Sequence, residues 1–156
     1  MRHVKAGNKA PDFSGKDQNG NIHRISDHKG TWVLLYFYPK DDTPGCTKEA
    51  CSIRDTHKTF KEKNVVVLRV SKDSVESHKK FADKYTLPFT LIADPEKIIV
   101  KRYGVWKKKK FLGRAYMGTA RESFLINPKG VIAKVYEKVK PAEHADEVLV
   151  DVNTLA

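Results

Sequence analysis

The chain has 156 residues, of which 40% are hydrophobic and only two are cysteine. That length supports one domain with a full core, expected to span residues 1–156, and falls short of two. With 30 Lys and Arg against 19 Asp and Glu, the formal net charge is +11, which allows anionic partners. The cations are spread through the chain apart from Lys107, Lys108, Lys109 and Lys110, so they read as a solvated surface.

The first residues carry no apolar leader segment, and the longest apolar run, residues 32–38, is far below the ~18 residues of a membrane span. The expectation is a soluble, cytoplasmic protein with no membrane partner. Two cysteines are too few for a secreted disulfide framework and suit a reducing compartment. No recognised binding motif accompanies the positive charge, so nucleic acid is not an expected partner.

In chain order, residues 11–13 and 16–21 predict a short hairpin turning at Asn19-Gly20, with residues 23–25 returning. Residues 27–31 form a polar loop. Residues 32–38 are apolar without alternation, as in a strand covered on both faces, and are placed at the centre of a sheet. Thr43 is a capping residue and Pro44 suits a first helical position, so a helix should run from Pro44 toward Phe60, with Ala50, Ile53, His57 and Phe60 along one face.

Residues 64–70, dense in β-branched side chains, make a second buried strand. Strand, helix, strand in this order implies a right-handed parallel crossover. Ser71 or Asp73 then caps a helix carrying Val75, His78, Phe81, Ala82 and Tyr85. Residues 86–92 hold a loop and a short strand interrupted by Pro88, and Asp94-Pro95 opens a short helix ending near Arg102 and Gly104.

Residues 105–113 read as basic and irregular, and residues 116–126 as one strand. The turn at residues 127–130 leads to a partner strand over 131–136, and an amphipathic helix carrying Ala145, Val148, Leu149 and Val152 closes the chain. The whole is α/β: a central sheet flanked by helices, preceded by a β-hairpin. In such sheets ligands gather beyond the carboxyl ends of strands, where Cys46 lies.

Cys46 falls at a predicted helix start, on unpaired backbone N–H groups. Only the thiolate is nucleophilic, and helix N-termini and nearby cations bring cysteine pKa values down from about 8.5 to roughly 3.5–7.5, so the position favours a reactive sulfur. Cys51 lies five residues on. In one helix the two side chains point about 140° apart with Cα atoms roughly 8–9 Å from each other, beyond the ~7 Å limit of a disulfide. A bridge would require that turn to unwind; the pair is a switch if redox-active and two ordinary thiols if not.

Pro39-x-x-x-Thr43-x-x-Cys46 matches the active-site signature of peroxiredoxins, and Thr43-Pro44-Gly45-Cys46-Thr47-x-Glu49-x-Cys51 resembles the bacterioferritin-comigratory or Q-type subfamily. The similarity extends from residues 7–13 to residues 121–126. It implies a thioredoxin-like fold and a thiol peroxidase in which Cys46 attacks a hydroperoxide and becomes a sulfenic acid.

The resemblance further implies that the Thr43 hydroxyl, the Cys46 N–H and the Arg121 guanidinium are donors to the peroxide, and that Pro39 closes the pocket. Cys51 would be the resolving thiol, Glu49 would hold a helix turn or a neighbouring charge, and a thioredoxin or glutaredoxin-like reductant would recycle a monomer or weak homodimer. No cofactor and no metal are implied. Taken singly, Thr43 is a helix cap, Arg121 a surface or salt-bridge residue, Pro39 a strand terminator and Cys51 a buried apolar side chain. Their joint occurrence with Cys46 points to a peroxidatic site.

Other chemistries fit less well. A zinc site from Cys46, Cys51 and His57 lacks a fourth ligand and the usual cysteine spacing. Residues 113–118 do not form a phosphate loop, and Asp41-Asp42 reads as a turn. A general thiol-disulfide oxidoreductase would carry Cys-x-x-Cys. A basic interaction module with incidental cysteines is the remaining alternative.

Overall fold

The computed structural model describes residues 4–155. Strand β1 (Ser14–Lys16) pairs antiparallel with β2 (Ile22–Arg24). The tight turn between them places Gly20 at φ +85°, a left-handed conformation that costs glycine nothing. The loop expected next is in part a 3-10 turn at Ile25–His28.

Strand β3 (Trp32–Phe37) is buried along its whole length. Helix α1 (Pro44–Asp55) and the short helix α2 (His57–Glu62) follow it, and β4 (Val65–Ser71) pairs parallel with β3. The single helix expected from Pro44 to Phe60 is therefore two. The chain breaks at Thr56, whose hydroxyl donates to the Ser52 and Ile53 carbonyls at 3.1 and 3.2 Å, a back-bond that bends helices.

Helix α3 (Val75–Tyr85) is capped by Ser74, not by Ser71 or Asp73; the Ser74 hydroxyl accepts from the Ser77 N–H at 3.1 Å. Ser71 and Asp73 instead bond each other at 2.6 Å in the turn before it. Strand β5 (Thr90–Ala93) follows, then α4 (Ile98–Arg102). Asp94 does serve that helix, accepting from the Ile98 and Val100 N–H groups at 3.0 and 2.9 Å, but across a turn that puts Lys97 at φ +63°.

The stretch expected to be irregular is ordered. Strand β6 (Trp106–Phe111) pairs antiparallel with β7 (Arg114–Thr119) in a separate two-stranded sheet. What read as one strand over 116–126 is β7 plus β8 (Glu122–Ile126), interrupted at Ala120 and Arg121. Strand β9 (Ile132–Tyr136) and helix α5 (His144–Leu155) complete the chain.

The main sheet has the order β2-β1-β5-β4-β3-β8-β9. It is mixed, with β3 parallel to β4 and antiparallel to β8. Because successive strand residues face opposite sides, β3 feeds two cores. Leu34, Tyr36 and Tyr38 pack with Ala50, Ile53, Phe60, Phe81 and Val148 from α1, α2, α3 and α5. Val33, Leu35 and Phe37 pack with Ile99, Val100 and Tyr103 of α4 and its flank. Both faces being covered explains the unalternating sequence of β3. Among the described residues no helix is long and apolar enough to cross a membrane.

Candidate active site

The turn from β3 into α1 sets the site. Pro39 ends the strand half-buried, and Asp41 and Asp42 form the turn, Asp42 at φ +59°. Thr43 occupies the N-cap with Pro44 at the first helical position, as the sequence predicts. Its hydroxyl does not cap; it donates to the Lys40 carbonyl at 3.2 Å. The Thr43 carbonyl accepts from Thr47 N–H at 2.8 Å and starts the helix. Cys46 is the third helical residue, so its N–H belongs to the first turn, where intrahelical acceptors are missing.

Cys46 is fully buried and Cys51 is half-buried; both are free thiols in the same intact helix. Arg121, in the gap between β7 and β8, meets Cys46 and Glu49 of that helix. One of its terminal nitrogens donates to Cys46 Sγ at 3.1 Å and the other to Glu49 Oε1 at 3.1 Å. Glu49 has no exposed surface, whereas the Arg121 side chain keeps 21% of its own. Gly45 eases the approach: a Cβ there would stand 3.0 Å from an Arg121 terminal nitrogen and press the guanidinium to shift.

A second guanidinium lies beneath, and the sequence reading missed it. Arg69, buried in β4, donates to the Cys46 carbonyl at 3.1 Å. Its carbon sits 3.8 Å from the Tyr38 ring centroid and 4.7 Å from that of Tyr36, so two aromatic faces take the place of water around the charge. A lone arginine in a β-branched strand was the available signal. The buried cluster therefore sets two guanidiniums against one carboxylate, Glu49, beside a sulfur.

The turn is moored to α3. Asp41 accepts from Tyr38 OH and Ser77 Oγ and lies 2.7 Å from His78 Nδ1, while the Asp41 N–H donates to Asp73 Oδ2 at 2.9 Å. His78 Nε2 donates to the Ile92 carbonyl at 2.9 Å. Burial alone raises the Asp41 carboxyl, but His78, Tyr38 and Ser77 together outweigh it and hold the group below its ordinary value. Asp41 thus does more than turn the chain. His57, considered for zinc, opens α2 and packs on Phe89, its ring 6.2 Å away.

The lysine run alternates along β6. Lys107 Nζ pairs with the buried Glu122 at 2.6 Å. Lys109, on the same face, lays its stem over Gly118 and is half-buried near Arg121; burial and the Arg121 charge lower its pKa. Lys108 and Lys110 point the other way and are exposed. The run is thus one cationic wall of the site and one solvent face.

Residues 6–135 match the AhpC/TSA family. The chain is 47% identical over 146 residues to peroxiredoxin Bcp of Bacillus subtilis, covering 94% of this chain and 93% of that one. It is 44% identical over 149 residues to peroxiredoxin Bcp of Escherichia coli, covering 96% of each. Among solved structures, a PrxQ variant from Xylella fastidiosa superposes with TM-score 0.94 at 32% identity over 99% of both chains. The bacterioferritin comigratory protein of Xanthomonas campestris, described for alkyl peroxide reduction, gives TM-score 0.90 at 33% identity over 96% of this chain and 98% of that one.

Proposed function

Because this chain belongs to the AhpC/TSA family and is a thiol peroxidase of the peroxiredoxin Bcp/PrxQ type, we propose that Cys46 is its peroxidatic sulfur and Cys51 its resolving one. The observation that carries this reading is the forked contact of Arg121 with Cys46 Sγ and Glu49, each at 3.1 Å. An anionic sulfur there balances the second guanidinium of the cluster, and the same fork lies beside charge that moves from sulfur to the departing oxygen.

The sulfur attacks the terminal OH oxygen of a hydroperoxide, the O–O bond breaks, and its electrons leave with the other oxygen, the one bearing the alkyl group or hydrogen, which takes a proton to become an alcohol or water. Cys46 is left as a sulfenic acid. In this reading the Thr43 hydroxyl, released from the Lys40 carbonyl, and the Cys46 N–H hold the peroxide head, and Pro39, with no N–H, closes the mouth. Cys51 then displaces hydroxide from the sulfenic sulfur, water leaves, and a disulfide forms. This needs α1 to unwind between residues 46 and 51. A dithiol reductant of thioredoxin or glutaredoxin type restores both thiols by exchange.

Stopped-flow mixing of the reduced protein with hydrogen peroxide, followed by turnover with thioredoxin and its reductase, tests this. Cys46→Ser abolishes both reactions. Cys51→Ser reduces one equivalent and then stalls or over-oxidises unless an external thiol is added. Sustained turnover of Cys51→Ser with thioredoxin, equal to the parent, overturns the resolving role.

A further inference from the structure

We propose that the tip of the β6–β7 hairpin is a docking surface for an anionic lipid bilayer. The hairpin stands outside the main sheet, and every residue over 110–117 is exposed. At its end Phe111 is 67% and Leu112 88% exposed, and Tyr116 and Met117 follow at 49% each.

The turn gives no structural reason for these residues. Leu112 has φ +49° and Gly113 φ +79°, the conformation that two-residue hairpins fill with Asn or Asp and Gly. A leucine there is strained and leaves its apolar side chain 88% exposed at the end of the hairpin. Its fold would be served better by asparagine.

The charge around the tip is of one sign. From Trp106 to Arg121 the sequence has six cations and no Asp or Glu. Lys107 and Lys109 face the site, but Lys108, Lys110 and Arg114 are exposed beside the apolar tip. This is an apolar wedge ringed by cations on long stems. In a bilayer the wedge enters the headgroup and acyl boundary while the stems extend back to hold the ammonium groups at the phosphates. A protein partner is the poorer occupant, since a stable interface needs ~800 Å² per side and a convex turn offers no such face. The exposed half of the run, Lys108 and Lys110, is solvent-facing as the sequence suggests; what the proposal opposes is the expectation of no membrane partner. The proposal is independent of how the peroxide reaction is assigned.

Vesicle co-sedimentation of the full chain tests it, with phosphatidylcholine alone and with phosphatidylglycerol added. Binding to the anionic vesicles exceeds that to neutral ones by about tenfold or more and weakens as salt rises. Leu112→Asn together with Phe111→Ser, which keep or improve the turn, lower the partition by about tenfold. Lys108→Gln with Lys110→Gln lowers it by roughly twenty-fivefold, at about fivefold per charge. Hydrogen peroxide consumption in vesicle-free solution is unchanged in all four positions' variants.

Absence of binding to the phosphatidylglycerol vesicles overturns the proposal, including where an acidic protein captures the hairpin instead. Undiminished binding of the Leu112→Asn, Phe111→Ser variant also overturns it, since charge alone would then suffice. A dimer in sedimentation velocity that the same variant dissolves assigns the tip to a second copy and overturns it too.

Discussion

Arg121 and Arg69 hold the same cysteine by different atoms, the first by its sulfur and the second by its carbonyl, and their loss should separate accordingly. Arg121→Ala removes a charged donor from the reacting atoms, and the peroxide step should slow about a hundred- to a thousandfold, while the buried Glu49 it leaves unpaired should cost about 3 kcal/mol of stability. Arg69→Met removes a buried charge that no described carboxylate contacts by a hydrogen bond. Such replacements leave stability within ~1–2 kcal/mol or raise it, while the peroxide rate should fall as the helix start loosens. Urea midpoints beside stopped-flow rates check both; an Arg69→Met protein that unfolds easily yet reacts normally would make Arg69 purely structural. The two arginines were not equally legible. Arg121 could be placed from its register before Ser123-Phe124-Leu125-Ile126, whereas Arg69 sits five residues into an apolar strand and its partner is a backbone atom, which no sequence pattern marks.

At the scale of elements, the clasp between the β3–α1 turn and α3 fixes where helix α1 begins. Asp41 is nearly buried and its pKa is lowered, so its contribution is fully present above the ordinary carboxylate range near 3.9 and is lost as pH falls through the lower folded value. Asp41→Asn should therefore be less stable than the parent by about 3 kcal/mol at pH 7, and the difference should shrink in acid below about pH 4. Urea unfolding at neutral and acidic pH measures this; a difference that persists in acid would mean the pair is not held by charge. Long apolar runs and clear helical periodicity were readable: β3, β4, α3, β9 and α5 lie within a few residues of expectation, whereas β8 shares its expected span with β7. The β6–β7 hairpin was not, because four consecutive lysines hide an alternation that only the fold reveals, Lys107 and Lys109 inward, Lys108 and Lys110 outward. The break at Ala120 and Arg121 carries no glycine or proline, and Thr56 breaks a helix by a hydroxyl back-bond that is equally silent in sequence.

For the molecule as a whole, motion and rigidity are assigned to different layers. The interior strands β3 and β4 are paired on both edges and covered on both faces, so they belong to the last part to open. One equivalent of peroxide should raise amide exchange in α1 by about tenfold or more while leaving β3 and β4 unchanged; exchange that rises throughout would mean global loosening. The overall architecture followed from strand order and buried runs, but which cation meets which sulfur required the third dimension. The stop at Thr56 then bears on kinetics. With Asp41 tied to α3 ahead of Cys46, and Phe60 seated in the core beyond Cys51, any slack let out of the coil lies between two fixed posts. A thiol on so short a leash meets its target as though dissolved at millimolar strength or above, so an outside mercaptan in the cell would have to match that figure to compete for the oxidised sulfur.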